Sequence, residues 1–180
     1  MTPMIESKRF YMRPIDPAVD DLTSYLGWMR NEVSNPHIEG INPLYTEGEL
    51  RRYILEKSQK EDALLLGIFT KSEAKHIGNI KYEPIDLPKK EAWLGILIGD
   101  EEWRNVQAAR EVIRETMEWL NLNLGITVFL LGVSKANLAA VRSYVAVGFT
   151  IIEDEEGSSL NDTMVMKCDL LKSHRTLKSG

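Results

Sequence analysis

Three stretches of this 180-residue sequence hold residues whose types and spacing could do chemistry. In Ile98 to Ile113 (IGDEEWRNVQAAREVI) the polar segment Arg104 to Ala109 leads from an apolar run into a helical pattern. Such a junction leaves several backbone N–H groups without intrahelical acceptors, and together with the helix dipole they form a site for an anion such as a pyrophosphate. In Gly132 to Phe149 (GVSKANLAAVRSYVAVGF) Asn137 can cap a helix, and Tyr144 carries a phenol still protonated at neutral pH. The spacing of Tyr144 from Leu138, Val141 and Val145 equally suits a core aromatic. In Glu91 to Gly99 (EAWLGILIG) period-two alternation places Glu91 and Trp93 on one face of a strand.

The elements that must position these residues follow from periodicity. Lys8 to Ile15 reads as a strand, ended by Pro14-Ile15-Asp16-Pro17. Ala18 to Asn31 reads as a helix with Val19, Leu22, Leu26 and Met29 on one side. Thr46 and Glu49 form a capping box before a helix over Gly48 to Lys57, with Leu50, Tyr53, Ile54 and Leu55 inward. Ala63 to Thr70 and His76 to Glu83 read as a hairpin, followed by a loop through Pro84 and Pro88. Glu91 to Gly99 is apolar enough to be a central strand buried on both faces. A long helix through Ala109, Val112, Ile113, Met117 and Leu120 ends at Gly125. Then come the strand Ile126 to Val133, the helix Asn137 to Val147 with Leu138, Val141, Tyr144 and Val145 inward, and a hairpin of Phe149 to Glu153 with Thr163 to Leu170. The expected fold is one mixed α/β (α+β) domain over 1–171, about six to seven strands and four helices, with a polar tail over 172–180.

Composition narrows the function. A net charge of -5 argues against wrapping nucleic acid or lying on an anionic membrane. The single cysteine, Cys168, and the scattered His37, His76 and His174 offer neither a disulfide framework nor zinc-ligand spacing, so no metal is expected. No stretch approaches the ~18 to 20 apolar residues of a membrane span, and no secretory signal opens the chain, so the cytoplasm is expected. A sheet edge could pair with a second copy in a homodimer, but no residue pattern decides this.

The element order and three strings resemble the GNAT superfamily of acyl-CoA-dependent N-acetyltransferases. Asn137, Ala140, Tyr144, Gly148 and Phe149 all fall in register with its Val-x-x-x-Asn-x-x-Ala-x-x-x-Tyr-x-x-x-Gly-Phe motif. Arg104 and Ala109 fit the ends of its Gln/Arg-x-x-Gly-x-Gly/Ala loop, but Asn105 and Gln107 stand where glycines are usual. The third pair, WMRNEVSNPHI and IGNIKYEPI, is similar to the branch of ribosomal-protein N-terminal and amino-sugar acetyltransferases. The resemblance implies a GNAT-like fold with acetyl-CoA as co-substrate and an acetyl group passed to a primary amine, of a small molecule or a peptide, in a ternary complex. It further implies coenzyme contacts from Leu97, Ile98, Gly99, Arg104, Asn105, Val106, Gln107, Ala108, Ala109 and Asn137, and a proton for the coenzyme sulfur from Tyr144. Relatives carry a glutamate base where Trp93 stands here, so Glu91 becomes the candidate, with His76, Glu83 and Glu153 as further bases. Trp28, Arg30, Asn31, His37 and Glu39 form a polar-aromatic lining for an amine, while the run Glu153 to Glu156 could attract a cation or be merely a solvated turn. The competing expectation is a GNAT-fold coenzyme- or partner-binding module with a degenerate loop and no catalysis.

Overall fold

The computed structural model describes residues 3–31, 41–152 and 162–172. In chain order the elements are β1 (Ile5–Glu6), β2 (Phe10–Arg13), α1 (Thr23–Arg30), α2 (Glu47–Gln59), β3 (Leu64–Thr70), β4 (His76–Asp86) and β5 (Glu91–Ile98). A 3₁₀ turn (Glu101–Trp103), α3 (Ala108–Leu124), β6 (Val128–Ser134), α4 (Leu138–Val147), β7 (Thr150–Ile151) and β8 (Thr163–Asp169) follow. The strands form one sheet in the order β1-β2-β3-β4-β5-β6-β8-β7, eight where the sequence suggested six to seven. Neighbours are antiparallel except β5 and β6, which run parallel because α3 crosses between them.

The local signals explain the helix ends. Thr46 Oγ1 accepts from Glu49 N while the Glu49 carboxylate accepts from Thr46 N, so α2 starts in a complete capping box. Gly125 (φ 71°) and Gly148 (φ 118°) close α3 and α4 in left-handed geometry. α1 begins at Thr23 rather than Ala18, because Asp16 and Asp20 side chains accept from the N–H groups of Ala18 and Asp16 and hold 16–20 in a turn. Val19 is therefore exposed.

Helices cover both faces. Val112, Ile113, Met117 and Leu120 of α3 pack with Ile80, Tyr82, Leu94 and Phe129 of the sheet. Leu22 and Tyr25 of α1 and Leu50 and Ile54 of α2 pack with Ile15 and Leu65 on the opposite face. Leu55 falls off that stripe and is exposed. α4 also turns differently from expectation: Leu138 and Val145 face solvent, and Ala140, Val141, Tyr144 and Val147 rest on the core. Pro84 lies inside β4, not in a loop. The register passes from Tyr82↔Leu94 to Ile85↔Ala92, so Glu83 and Pro84 both lie against Trp93 in a bulge where no proline N–H is needed. Among the described residues no helix is long and apolar enough to cross a membrane.

β5 is central in the sheet but not buried on both faces. Ala92, Leu94 and Leu97 are buried, whereas Trp93 is 38% exposed and Gly95 is open. The strands also part. β5 pairs with β6 at Glu91↔Val128, Ala92↔Phe129 and Trp93↔Leu130 only. Beyond that point β5 continues to Ile98 against β4 alone, and β6 continues to Ser134 against β8 alone. Backbone polar groups must find partners, so the parted edges are places where a ligand's amides could complete the ladder.

Candidate active site

The parted strands lead to the loop between β5 and α3, and a set of side chains fixes its shape. Arg104 folds back, donating from Nε to Ile98 O and from Nη2 to Gly99 O, each at 3.0 Å. Asp100 accepts from Glu102 N and pairs with Lys75 at 2.8 Å. Trp103 packs edge-on to Phe10 with ring centroids 5.2 Å apart. On the far side Arg9 donates to Val106 O (3.1 Å) and to the Glu111 carboxylate (2.7 Å), which also accepts from Ser7 Oγ and Arg9 N. Braced this way, the loop carries Asn105 at φ 60° and Gln107 at φ 64°. These are left-handed conformations that favour glycine, at the two positions where the motif usually has it. The loop therefore holds two side chains in backbone geometry that glycine would adopt without strain.

Gln107 precedes α3 without a side-chain cap, and the first helical bond runs from Glu111 N to Gln107 O. The N–H groups of Ala108, Ala109 and Arg110 therefore have no intrahelical acceptor. With the positive end of the helix dipole they suit an anionic pyrophosphate.

The proton-handling candidates fall in different places. Tyr144 lies on the core-facing side of α4 beside Phe149, centroids 6.0 Å apart. Burial pushes its phenol up to about 12, so it holds its proton at neutral pH, and among the described residues no hydrogen bond to its hydroxyl offsets that burial. Asn137 is the α4 cap: its Oδ1 accepts from Ala140 N at 3.2 Å. Glu91 starts β5 on the paired side of the parting, six residues from Leu97 or roughly 20 Å along the strand.

Glu83 sits in the bulge opposite Trp93. Its carboxylate meets Lys57 (2.8 Å), Lys60 (2.7 Å) and Lys81 (3.1 Å). Burial alone would push it up, but the three ammonium groups hold it down at about 2. It is a locked anion, which corrects its candidacy as a base.

His76 is also committed elsewhere. Its Nε2 lies 3.0 Å from both Gly78 O and Asn79 Oδ1, two acceptors, so Nε2 carries the hydrogen. The ring stacks on Phe69 (4.8 Å) and meets Trp28 edge-on (5.1 Å), and burial lowers its pKa. It stands near Gly99, at the loop end of the strands, because Gly99 N bonds to Ile77 O.

The acceptor-side candidates divide as well. The Trp28 indole covers Gly99 so closely that a Cβ there would clash with the ring. It borders an open cleft of about 500 Å³ with Ser24, Asn31, Lys75 and Asp100. Arg30 donates to Tyr45 O at 2.6 Å. His37, Glu39 and Glu153 to Glu156 lie outside the described residues. Sequence reasoning missed the braces Arg9, Lys75 and Glu111, whose partners are distant in the chain. It also missed Arg110, whose Nε is buried without an acceptor.

Residues 9–150 match the family described as the acetyltransferase (GNAT) domain. The chain belongs to this family. The GNAT fold is shared with solved structures of low sequence identity. The ribosomal L7/L12 alpha-N-protein acetyltransferase RimL, in complex with coenzyme A, superposes with a TM-score of 0.79 at 14% identity over 93% of this chain and 98% of its own. Spermidine N-acetyltransferase from Vibrio cholerae, in complex with CoA and spermine, gives 0.75 at 18% identity over 91% and 96%. A GNAT-family acetyltransferase from Bacillus anthracis gives 0.77 at 11% identity over 94% and 99%. No curated protein sequence matches this one significantly.

Proposed function

We propose that this GNAT protein transfers an acetyl group from acetyl-CoA to a primary amine, of an amino sugar or other small amine or of a protein N-terminus, by direct attack in a ternary complex. The observation that carries the reading is the parting of β5 and β6 after Trp93↔Leu130, with the uncapped start of α3 at its open end. The residues present fit the coenzyme: α3 offers three open N–H groups, and the loop keeps two left-handed residues where the motif needs them. Similar solved structures hold CoA, and their names speak of ribosomal-protein and spermidine acetylation, which supports an amine acceptor here.

Acetyl-CoA would supply the acetyl thioester. In this reading the N–H groups of 108–110 and the backbone of Asn105 to Gln107 hold its pyrophosphate, and Arg104 keeps the loop closed on the strand end. The free edge from Leu97 to Gly99 receives the pantetheine amides, and an unpaired strand N–H faces the carbonyl oxygen as charge develops on it. Asn137 keeps α4 in place and borders the coenzyme. Tyr144, whose phenol keeps its proton at neutral pH, delivers that proton to the departing sulfur. Glu91, sharing a strand face with Trp93, takes the amine proton through water, while Trp28 and Arg30 with His37 and Glu39 line the acceptor side.

The side chains of Asn105 and Gln107 favour a second reading, a module that binds coenzyme or a partner without catalysis. Calorimetric titration with acetyl-CoA followed by comparison of wild type with Tyr144→Phe separates the two. Catalysis predicts micromolar binding and a fall in kcat of about 10²-fold or more for the variant. Because the hydroxyl has no partner, the melting temperature should not move. Equal kcat in both proteins, or no transfer to any amine or peptide despite coenzyme binding, would favour the module.

A further inference from the structure

On the face of the sheet that carries Trp93 lies a group of donors with unused N–H bonds. Alternation along β5 puts Trp93, Gly95 and Leu97 on this face, and the register sets Asn79 of β4 beside Leu97 and Lys81 beside Gly95. It is the face that α1 and α2 cover, since Leu65, paired with Lys81, packs against both helices. The cover stops at Gly95, where an added Cβ would meet nothing within 4 Å, and Trp93 is exposed beside it.

The charges around this opening leave donors in excess. The Glu83 carboxylate is saturated: Oε1 accepts from Lys57 (2.8 Å) and Lys60 (2.7 Å), and Oε2 pairs with Lys81 (3.1 Å). Each ammonium has three N–H bonds and directs one of them to Glu83. The other carboxylates acting on these lysines, Glu56 at 3.6 Å from Lys57 and Asp62 through its field on Lys60, are exposed and weakened by solvent.

Asn79 is an independent observation at the same place. It is only 5% exposed. Its Oδ1 accepts from His76 Nε2, which also meets Gly78 O and so must carry the hydrogen, and this fixes the orientation of the amide. Nδ2 is left on the side away from His76, enclosed and without an acceptor. A buried N–H with no partner loses its hydration and gains nothing in return. Lys81 and Gly95 form the next rung on this face, roughly 7 Å along β4.

We propose that this opening is a subsite for an anionic group on the amine substrate, so that the protein acetylates amines bearing a carboxylate or phosphate rather than polyamines. The inference names a substrate class within the acetyl-transfer reading above and rests on it. Lys81, flanked by Lys57 and Lys60, meets the anionic oxygens, and Asn79 Nδ2 gains the acceptor it lacks. Gly95 has no side chain to block the way across β5, so the amine lies toward the edge where β6 parts and the anionic group toward β4. With strands about 5 Å apart, amine and anion stand within roughly 10 Å of each other. A polyamine would bring a second cation against the lysines and leave Asn79 unsatisfied.

The test is steady-state acetylation by acetyl-CoA of matched amines: glucosamine and glucosamine 6-phosphate, the peptides Ser-Ala-Ala and Ser-Asp-Asp, and spermidine. In wild type an anionic member should exceed its neutral partner about tenfold or more in kcat/KM, mainly through KM, and spermidine should be the poorest substrate. Lys81→Gln should shrink that ratio to about threefold or less, and added salt should shrink it in wild type. Lys60 is exposed, so Lys60→Gln, with a smaller drop in the ratio, keeps the test open where Lys81→Gln fails to fold. Preference within the sugar pair alone assigns the anion to a phosphorylated small molecule, and within the peptide pair alone to an acidic peptide. A ratio near one in both pairs, a preference for spermidine, or a ratio that survives substitution of the lysines overturns the inference and leaves acetyl transfer standing. Failure to acetylate any amine overturns the transfer reading instead. Calorimetric titration with the same pairs then decides the subsite: tighter binding of the anionic member that Lys81→Gln or Lys60→Gln weakens upholds it, and equal or absent binding overturns it.

Discussion

The starts of α2 and α3 meet the same physical problem in opposite ways. At α2 the Thr46–Glu49 capping box satisfies the free N–H groups locally, and Glu47 and Glu49 add negative charge to the first turn. At α3 the preceding Gln107 is left-handed, its side chain caps nothing, and a cation stands in the first turn beside Glu111, whose carboxylate is drawn off to Ser7 and Arg9. A helix start completed by its own side chains serves the fold. One left incomplete, on a loop braced by Arg9, Arg104 and Lys75, keeps its N–H groups open, which is what the proposed coenzyme site requires.

Breaking the frame beneath the open end should have the largest effect. A Cβ on Gly78 would strike the Leu97 carbonyl, a backbone atom that cannot swing aside. Gly78→Ala should cost about 3 kcal/mol in urea unfolding and weaken coenzyme binding with it, since β4 carries the strand end that the loop grips. A neutral result would mean that this end of the sheet is looser than its register implies.

The lysine-clamped Glu83 sharpens the contrast through pH. Its folded pKa, about 2, lies below its ordinary value of 4.5. Its contribution to stability is therefore complete above about pH 4.5 and lost as pH falls toward 2. Glu83→Gln should cost about 2 kcal/mol at neutral pH, discounted for the partly exposed Lys60, and the gap to wild type should close across that acid window. A gap independent of pH would show that the loss is one of packing. Glu83 working as a base would instead show as a rate profile breaking in the range of an ordinary carboxylate.

The smallest pair of effects addresses the two helix starts directly. Thr46→Ala should cost about 1 kcal/mol, a fall of about 2 to 4 °C in Tm, because an orphan N–H loses its acceptor. Gln107→Ala should stay within about 0.5 kcal/mol, because no cap is removed and the left-handed strain is retained. Similar losses at both sites would erase the distinction between a closed and an open start.

By itself the sequence determined whatever depends on neighbours within one helical turn or one turn of chain. The capping box at Thr46, the stops at Gly125 and Gly148 and the Asn137 cap all involve partners a few residues apart, and they stand where the spacing put them. So does the family, because its Asn137-to-Phe149 string is itself local. Tertiary structure decided the rest. The apolar run of β5 reads as doubly buried until the fold leaves the face that carries Trp93 and Gly95 uncovered. The stripe on α4 cannot be centred until the core it rests on exists. Glu83 looks like a free carboxylate until α2 brings Lys57 and Lys60 to it. Arg110 looks like any helix arginine until folding buries its Nε without an acceptor among the described residues. Each of these depends on partners tens of residues away in the chain, and only folding sets that distance.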